Sequence, residues 1–237
     1  MSKAEPALAE GGQAMKRSEV NAAIRRAIEL LQANRWSLPP WAHWTAEDYA
    51  RDPATARYLR DHQMGWDVTD FGAGDFGNRG LTLFCVRNGV QSDPDDKPYA
   101  EKLLFVAEGQ ETPTHRHRVK MEDIINRAGG VLVLEFAHGG QDGKATDAPV
   151  TVRVDGVARS LQPWEKLRLE PGQSVTIERG VYHRFYGEAG KGMVLVGEVS
   201  QVNDDHADNF FLEPVGRFAR IEEDEPPLRR LWNEIAA

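Results

Sequence analysis

GQETPTHRHRVKMEDIINRAG, residues 109–129, is the stretch of this 237-residue sequence that decides its fold. His115 and His117 stand two residues apart in it, and in an extended strand that spacing puts both imidazoles on one face. Glu122 follows five residues after the second histidine. Because imidazole and carboxylate groups together suit a divalent transition metal, this stretch predicts one side of a metal site.

A later stretch, RGVYH at residues 179–183, supplies one more candidate ligand, His183. With it the chain resembles the cupin superfamily, because both cupin motifs are present in order and with the expected intervals. The matching positions are Gly109, His115, His117, Glu122 and Gly129 in the first motif, and Gly172, Gly180 and His183 in the second. Two positions that bind no metal depart from the pattern: Glu178 stands in place of Pro, and Gly187 in place of Asn. The resemblance implies a cupin-type β-barrel (jelly roll) that binds one divalent ion through His115, His117, Glu122 and His183.

The assignment of Glu122 competes with two other interpretations. The apolar residues around it have helical spacing, so Glu122 can also be interpreted as an acid in the first turn of a helix. Glu135 is a rival ligand, because it shares a predicted strand face with two valines and could point into the barrel. We predict Glu122, because it keeps the motif interval. The histidines without ligand-like spacing, predicted to be structural or exposed, are His43, His62, His138 and His206.

The rest of the chain predicts a mainly β protein with N-terminal helices. Short apolar runs with period-two alternation, separated by Gly, Asp, Asn and Pro, predict strands at 81–86, 102–107, 131–136, 150–154, 175–177 and 194–199. Before them, Ser18 and Thr45 are each placed to cap a helix, and a Trp-rich connector at 36–44 is predicted to pack on a sheet. We predict a flexible leader over residues 1–14. Residues 15–237 are predicted to form a single domain that begins with a helical segment (about 15–63).

The composition excludes several classes of protein. A formal net charge of -8 with no long basic run argues against a nucleic-acid partner. The only cysteine, Cys85, cannot form an intrachain disulfide, which is typical of a reducing compartment. The N-terminus lacks the apolar core of a signal peptide, and no apolar run is long enough to span a membrane. We therefore expect a cytoplasmic protein that acts on a small molecule.

Longer stretches resemble one cupin family in particular, the D-lyxose isomerases. They are MKRSEVN at 15–21, GWDVTDFG at 65–72, PYAEK at 98–102, THRHRVKMEDIINR at 114–127, VNDD at 202–205 and IEEDE at 221–225. The resemblance implies interconversion of D-lyxose and D-xylulose, and of D-mannose and D-fructose, through a cis-enediol intermediate. It also implies a homodimer and a divalent cofactor, Mn²⁺ ahead of Co²⁺, Fe²⁺, Ni²⁺ or Zn²⁺. Two alternatives stay open: another cupin metalloenzyme such as an Fe(II) dioxygenase, and a non-catalytic cupin that binds sugar or metal.

An isomerase of this kind needs a base that moves a proton between C1 and C2 of the sugar. Glu213, within FFLEP at 210–214, is the first candidate, because an apolar setting favours an acid that can take up a proton. Glu198, after an apolar run, is the second. Lys102 is a candidate for contact with a sugar oxygen or the enediolate, and Arg217 for binding substrate oxygens. Each also has a simpler interpretation: a surface acid, a solvated lysine, or an arginine in a structural ion pair.

Overall fold

The computed structural model describes residues 14–236, in which strands predominate and α-helices are confined to the part before Gly65. The predicted mainly β fold with N-terminal helices is therefore confirmed. Residues 1–13 of the predicted leader lie outside the described residues. Within residues 14–236 no helix is long and apolar enough to cross a membrane.

Three α-helices precede the sheets: α1 (Arg17–Ala33), α2 (Ala46–Arg51) and α3 (Pro53–Asp61). Short 3₁₀ helices lie at Pro40–His43 and Trp232–Glu234. The strands, in chain order, are β1 (Met15–Lys16), β2 (Gly65–Thr69), β3 (Leu81–Arg87), β4 (Tyr99–Val106), β5 (Thr112–Arg116), β6 (Glu122–Gly129), β7 (Leu132–His138), β8 (Val150–Val154), β9 (Val157–Leu161), β10 (Leu167–Leu169), β11 (Ser174–Ile177), β12 (Val181–Gly187), β13 (Val194–Gln201), β14 (Phe210–Phe211) and β15 (Ile221–Glu222).

Two antiparallel sheets enclose the core. The larger has the order β2-β3-β4-β13-β6-β11-β8-β9, and the smaller has the order β10-β7-β12-β5-β14. Alternate residues of their strands point into the space between the sheets, as Leu104 of β4, Val196 of β13 and Phe136 of β7 do in the buried core. In the part of the chain that is described, neither sheet closes on itself. The core therefore lies in a two-sheet sandwich rather than in a continuous barrel.

The N-terminal helical segment covers the outer face of the larger sheet. Helix α1 buries Val20 and Ile24 in a cluster with Phe84 of β3 and Leu103 of β4, whose side chains point away from the main core. The Trp-rich connector packs on the same face, as predicted, and Trp41 stacks on Phe84 with ring centroids 5.0 Å apart. Because these contacts occupy the outer face, the inner face of the same strands is left to line the site described below.

The cap of the first helix differs from the prediction. Lys16 occupies the N-cap position, and Ser18 lies inside α1, where its backbone N–H and its hydroxyl both donate to the carboxylate of Asp224, at 2.9 and 2.7 Å. The prediction of a Ser18 cap is wrong, because the acidic segment near the C-terminus supplies the acceptor. Thr45 caps α2 as predicted, since its hydroxyl accepts a hydrogen bond from the backbone N–H of Asp48.

The acidic run at residues 222–225 lies against α1, although Glu222, Glu223 and Asp224 remain exposed on their other side. The side chain of Arg17 is 1% exposed, and its Nη2 lies 2.6 Å from Glu223 Oε1 and close to the carboxylate of Glu234. Strand β15 also pairs in parallel with β1, immediately before α1. The two ends of the described chain are therefore fixed to each other through one buried guanidinium.

We expect Arg17→Ala to lower the free energy of unfolding by about 2 kcal/mol, since hydrogen bonds to charged groups contribute about 1.5–3 kcal/mol. Arg25→Ala is the matched control, because Arg25 is exposed on the same helix and lies 3.8 Å from Glu225. Its loss is expected to change stability by less than about 1 kcal/mol. Urea unfolding of both variants measures the difference, and equal effects would contradict the role assigned to Arg17.

Candidate metal centre and active site

The four predicted ligands converge between the two sheets. His115 lies on β5 and His183 on β12, and the two residues are direct partners across that antiparallel ladder. His117 follows β5, and Glu122 begins β6 of the opposite sheet. The helical interpretation of Glu122 is wrong, because the residues that follow it pair with β11 and β13. All four side chains are buried.

The nitrogen atoms of the three histidines are close enough to share one ion. One nitrogen from each of His115, His117 and His183 lies within 4.8 Å of the other two. Oε1 of Glu122 lies 3.1 Å from Nε2 of His183 and 3.6 Å from Nε2 of His117. The three imidazoles therefore face one point, and the carboxylate of Glu122 lies beside two of them.

The rival carboxylate, Glu135, lies away from this cluster. It accepts hydrogen bonds from Nη2 of Arg184 at 2.7 Å and from the hydroxyl of Tyr186 at 3.0 Å. Its neighbours on β7, Leu134 and Phe136, point into the main core, so the alternation of the strand turns Glu135 the other way. Its two partners account for its burial, and it contributes nothing to the donor set.

Backbone carbonyls fix which ring nitrogen each histidine presents. The Nδ1 to carbonyl oxygen distances are 2.8 Å from His115 to Pro113, 2.7 Å from His117 to Asp208 and 3.1 Å from His183 to Val181. A carbonyl only accepts, so each Nδ1 carries the hydrogen and each Nε2 presents a lone pair. Nε2 of His183 is buried without a hydrogen-bond partner. This arrangement is typical of histidines that bind a metal ion through Nε2.

The charges of the cluster also suit a cation. Burial lowers the pKa of His115 well below its ordinary value, and burial together with the Lys120 ammonium lowers the pKa of His117. Burial alone would raise the pKa of Glu122, but the Lys120 ammonium holds it well below its ordinary value. Neutral imidazoles and an ionised carboxylate are the forms that bind metals. The donor set therefore fits a divalent transition-metal ion.

Lys120 joins the candidate ligand Glu122 to the candidate base Glu198. Its Nζ lies 2.8 Å from Glu122 Oε2 and 2.7 Å from Glu198 Oε1, and all three side chains are buried. Against the effect of burial, the two carboxylates raise the pKa of Lys120. Burial likewise opposes ionisation of Glu198, but Lys102 and Lys120 lower its pKa. Lys120 and Glu198 are therefore both charged at neutral pH. Lys120 belongs to no pattern of residues that marks it in the sequence.

The buried charges continue from Glu198 through Lys102 and Asp205 to Arg217. Nζ of Lys102 lies 3.7 Å from a carboxylate oxygen of Glu198 and 3.7 Å from one of Asp205. Arg217 donates through Nη2 to Asp205 at 2.9 Å and to Asp67 at 2.7 Å. These ion pairs link seven buried side chains: Glu122, Lys120, Glu198, Lys102, Asp205, Arg217 and Asp67.

The burial of Lys102 and Arg217 decides between their simpler and functional interpretations. The solvated interpretation of Lys102 is wrong, because its side chain is only 5% exposed. Arg217 does form structural ion pairs, yet its Nη1 is buried without a hydrogen-bond partner. A buried donor without a partner is uncommon, so this nitrogen is available to a ligand. Asp205 holds both cations, although the sequence did not single it out.

A cavity between the sheets is lined by both charged and apolar side chains. Its polar lining consists of Lys102, Thr112, His115, His117, Lys120, Glu122, Glu198, Asp205, Asn209 and Arg217. Its apolar lining consists of Phe71, Leu81, Leu83, Leu104, Ile124, Phe185 and Phe211. Such a lining suits a small polyhydroxylated ligand, whose hydroxyl groups bond to the polar side chains while its C–H groups contact the apolar ones.

Glu213 is not among the residues that line this cavity. Its side chain is 53% exposed, and its Oε2 accepts a hydrogen bond from Nη1 of Arg79 at 3.0 Å. The apolar surroundings predicted for Glu213 are wrong, because Phe211 turns into the cavity and Leu212 is itself exposed. Glu198, the second candidate, does line the cavity.

The structure explains one departure from the second motif. At Gly187, where the pattern has Asn, a Cβ atom would lie 2.7 Å from the backbone carbonyl oxygen of Ala107. The backbone N–H of Gly187 also donates to that carbonyl. Any side chain at this position would push β12 away from its neighbour, so glycine allows the close approach. At Glu178, in place of Pro, the carbonyl accepts from Val181 N and closes the turn before β12.

Relatives named as isomerases match most of the chain. The family model of D-lyxose isomerase matches residues 15–235. A D-lyxose/D-mannose isomerase of Escherichia coli O157:H7 is 43% identical over 222 residues, which are 93% of this chain and 98% of that protein. A D-lyxose/D-mannose isomerase of Thermosediminibacter oceani is 31% identical over 163 residues, 66% of this chain and 82% of that protein.

Solved structures share the fold. The L-ribose isomerase of Acinetobacter sp. DL28, solved in complex with L-ribose, superimposes with a TM-score of 0.59 and 18% identity, over 90% of this chain and 100% of that one. The Cellulomonas parahominis L-ribose isomerase gives a TM-score of 0.58 and 19% identity, over 88% and 99%. This likeness confirms the predicted cupin fold class.

Proposed function

Because the chain belongs to the D-lyxose isomerase family, and is thus an aldose–ketose isomerase, we propose that it interconverts D-lyxose and D-xylulose. Because D-mannose has the same configuration as D-lyxose at C2, D-mannose and D-fructose form a second pair of substrates. This second pair is converted more slowly. The observation that carries the proposal is one cavity in which a buried glutamate, Glu198, and two lysines adjoin a cluster of histidines that could hold a metal ion.

The proposed cofactor is one Mn²⁺ ion, held by His115, His117, Glu122 and His183. A bound divalent cation supplies Lewis-acid polarisation of a carbonyl oxygen. The mixture of neutral imidazoles and a carboxylate supports a first-row divalent metal, and family membership supports manganese among them.

Glu198 is the proposed base. It takes the proton from C2 of the aldose and returns it to C1, while the hydroxyl proton on O2 passes to O1, so the conversion needs no oxidant or reductant. Lys120 and Lys102 keep the carboxylate ionised, and their N–H groups are placed to stabilise the negative charge that develops on the sugar oxygens. Glu213, two residues past the cavity-lining Phe211, is the second candidate.

Arg217 is the proposed binding residue for the hydroxyl groups farther along the sugar. Its free Nη1 is a buried donor at the cavity, and its other contacts hold the guanidinium still. A donor that is fixed before the substrate arrives loses little conformational freedom on binding, which favours affinity.

The proposal extends to a cytoplasmic homodimer. The buried Cys85, whose pKa burial raises to about 12, is suited to a reducing compartment where no disulfide forms. For the dimer contact we propose the Trp-rich segment at 36–44, because Trp36 stays exposed beside the outer face of the larger sheet.

A panel of aldoses tests the substrate assignment. The Mn²⁺-loaded protein is expected to form ketose fastest from D-lyxose, more slowly from D-mannose, and hardly at all from D-xylose or D-glucose, which have the opposite configuration at C2. Ketose formation is followed by chromatography under nitrogen. A preference for an aldose with the opposite C2 configuration would contradict the assignment. Consumption of O₂ with another substrate would favour the dioxygenase, and binding without turnover the non-catalytic cupin.

A further inference from the structure

The loop at residues 202–209 lies directly against the turn that joins two candidate ligands. The carboxylate of Asp208 accepts three backbone N–H groups in that turn. They are those of Arg118 at 2.8 Å, Val119 at 3.0 and 3.2 Å, and Lys120 at 3.0 Å. Asp208 itself is buried.

The carbonyl groups of this turn have other partners: His117 O accepts the N–H of Gly180 at 2.7 Å, and Met121 O accepts that of Gln201 at 3.1 Å. Its N–H groups at 118–120 bond to Asp208. Strand β5 ends at Arg116 and β6 begins at Glu122, so residues 117–121 pass from one sheet to the other without strand pairing. The conformation of this turn sets the position of Lys120 between Glu122 and Glu198. A carboxylate that accepts three successive N–H groups fixes that conformation, because an alternative turn would lose these bonds and leave the buried N–H of Lys120 unpaired.

Asp208 also reaches the candidate metal site through its backbone. Its carbonyl oxygen lies 2.7 Å from Nδ1 of His117, and this contact directs Nε2 of the ring towards Glu122. Asp208 therefore orients His117 through its backbone carbonyl. Through its carboxylate it also orients the turn that precedes Glu122.

The loop that carries Asp208 is anchored at its other end. Asn88 is buried and forms a reciprocal pair with the backbone of Asn203: its Nδ2 donates to the carbonyl at 2.9 Å, and its Oδ1 accepts the N–H at 3.0 Å. The backbone N–H of Asp205 donates to Oε1 of Gln63 at 2.9 Å. The start of the loop is thus attached to the scaffold by bonds that do not involve the turn at 117–121.

We propose that Asp208 is a positioning residue of the metal site: its carboxylate holds the turn at 117–121 so that His117, Glu122 and Lys120 are placed before the ion binds. The inference rests on the proposed function, because it presumes that these ligands bind a metal. Asp208 touches no reacting atom, and its effect passes through the residues it holds.

Metal titration by calorimetry with Mn²⁺ alone tests this role. Asp208→Asn keeps one acceptor oxygen but turns an amide N–H₂ towards the backbone N–H groups. We expect Mn²⁺ affinity to fall about 10- to 100-fold, the range seen when partners of metal ligands are removed. Asp70→Asn is the matched control, since Asp70 is buried and accepts the N–H groups of Gly72 and Gly74 in another loop. The control is expected to change melting temperature without changing Mn²⁺ affinity.

The outcomes distinguish failure of the metal site from failure of the positioning role of Asp208. If the wild-type protein binds no Mn²⁺, the proposed function fails at the metal. If the wild type binds and Asp208→Asn binds within two-fold of it, or if Asp70→Asn loses as much affinity, the positioning role is wrong. Amide hydrogen exchange of the wild type provides a test that needs no folded variant. The N–H groups of residues 118–120 are expected to exchange slowly, and fast exchange there would overturn the proposal.

Discussion

The Glu198→Gln enzyme is expected to convert D-lyxose with a kcat at least about 10²-fold below that of the wild type, the usual range for loss of a general base. Gln has nearly the shape of Glu and can still accept a hydrogen bond from Lys120, but it cannot take up a proton. Mn²⁺ content and KM are therefore expected to change little. Steady-state kinetics of the fully loaded enzyme, with the metal content measured on the same sample, give the result.

Glu213→Gln is the matched variant, because it removes the same charge from the other candidate. With Glu213 half exposed and paired with Arg79, we expect a loss of no more than a few-fold. The wash-in of solvent deuterium at C2 of D-lyxose is measured for both variants, and only Glu198→Gln is expected to lose it. A large loss in Glu213→Gln alone would move the base to Glu213. No wash-in even in the wild type would favour a hydride shift or a fully shielded proton over the enediol route.

The second large effect is expected at the metal ligands. His183→Ala removes a fully buried imidazole whose Nε2 has no hydrogen-bond partner. We expect Mn²⁺ affinity to fall more than about 100-fold, which exceeds the loss usual for residues that only hydrogen-bond to metal ligands. Turnover should fall with it. Affinity is measured by calorimetry with Mn²⁺, and bound metal by elemental analysis.

His62→Ala is the control for this variant. His62 is partly buried and bonded through both ring nitrogens, to Tyr58 O and to Asp96, so it has no lone pair free for an ion. We expect Mn²⁺ affinity to be unchanged. If His183→Ala retains full Mn²⁺ binding, the four-ligand assignment is wrong, whatever its activity.

The histidine cluster could be predicted because it depends on residues close together in sequence and on the fixed intervals of the cupin motifs. His115 and His117 share a strand face by spacing alone, and the interval to Glu122 distinguished it from Glu135. The strand alternation that turns Glu135 outward was invisible in the sequence, because Val131 and Val133 suggested the opposite face. Only the pairing of β7 with β12 shows that Arg184 and Tyr186 receive its carboxylate.

The environment of Glu213 could not be predicted from its neighbours. Apolar residues next to it in sequence point elsewhere, and Arg79, its partner, is 134 residues away. The same limit applies to Lys120, Asp205 and Asp208. They reach the site through long-range ion pairs and through hydrogen bonds to backbone N–H groups, which leave no pattern of residue types.

The central claim is metal-dependent aldose–ketose isomerisation, and proton NMR of D-lyxose incubated anaerobically with the Mn²⁺-loaded protein tests it most directly. We predict that D-xylulose signals appear, that a chelator abolishes their formation, and that added Mn²⁺ restores it. Failure to form ketose, or formation that continues unchanged after the ion has been removed, would contradict the account.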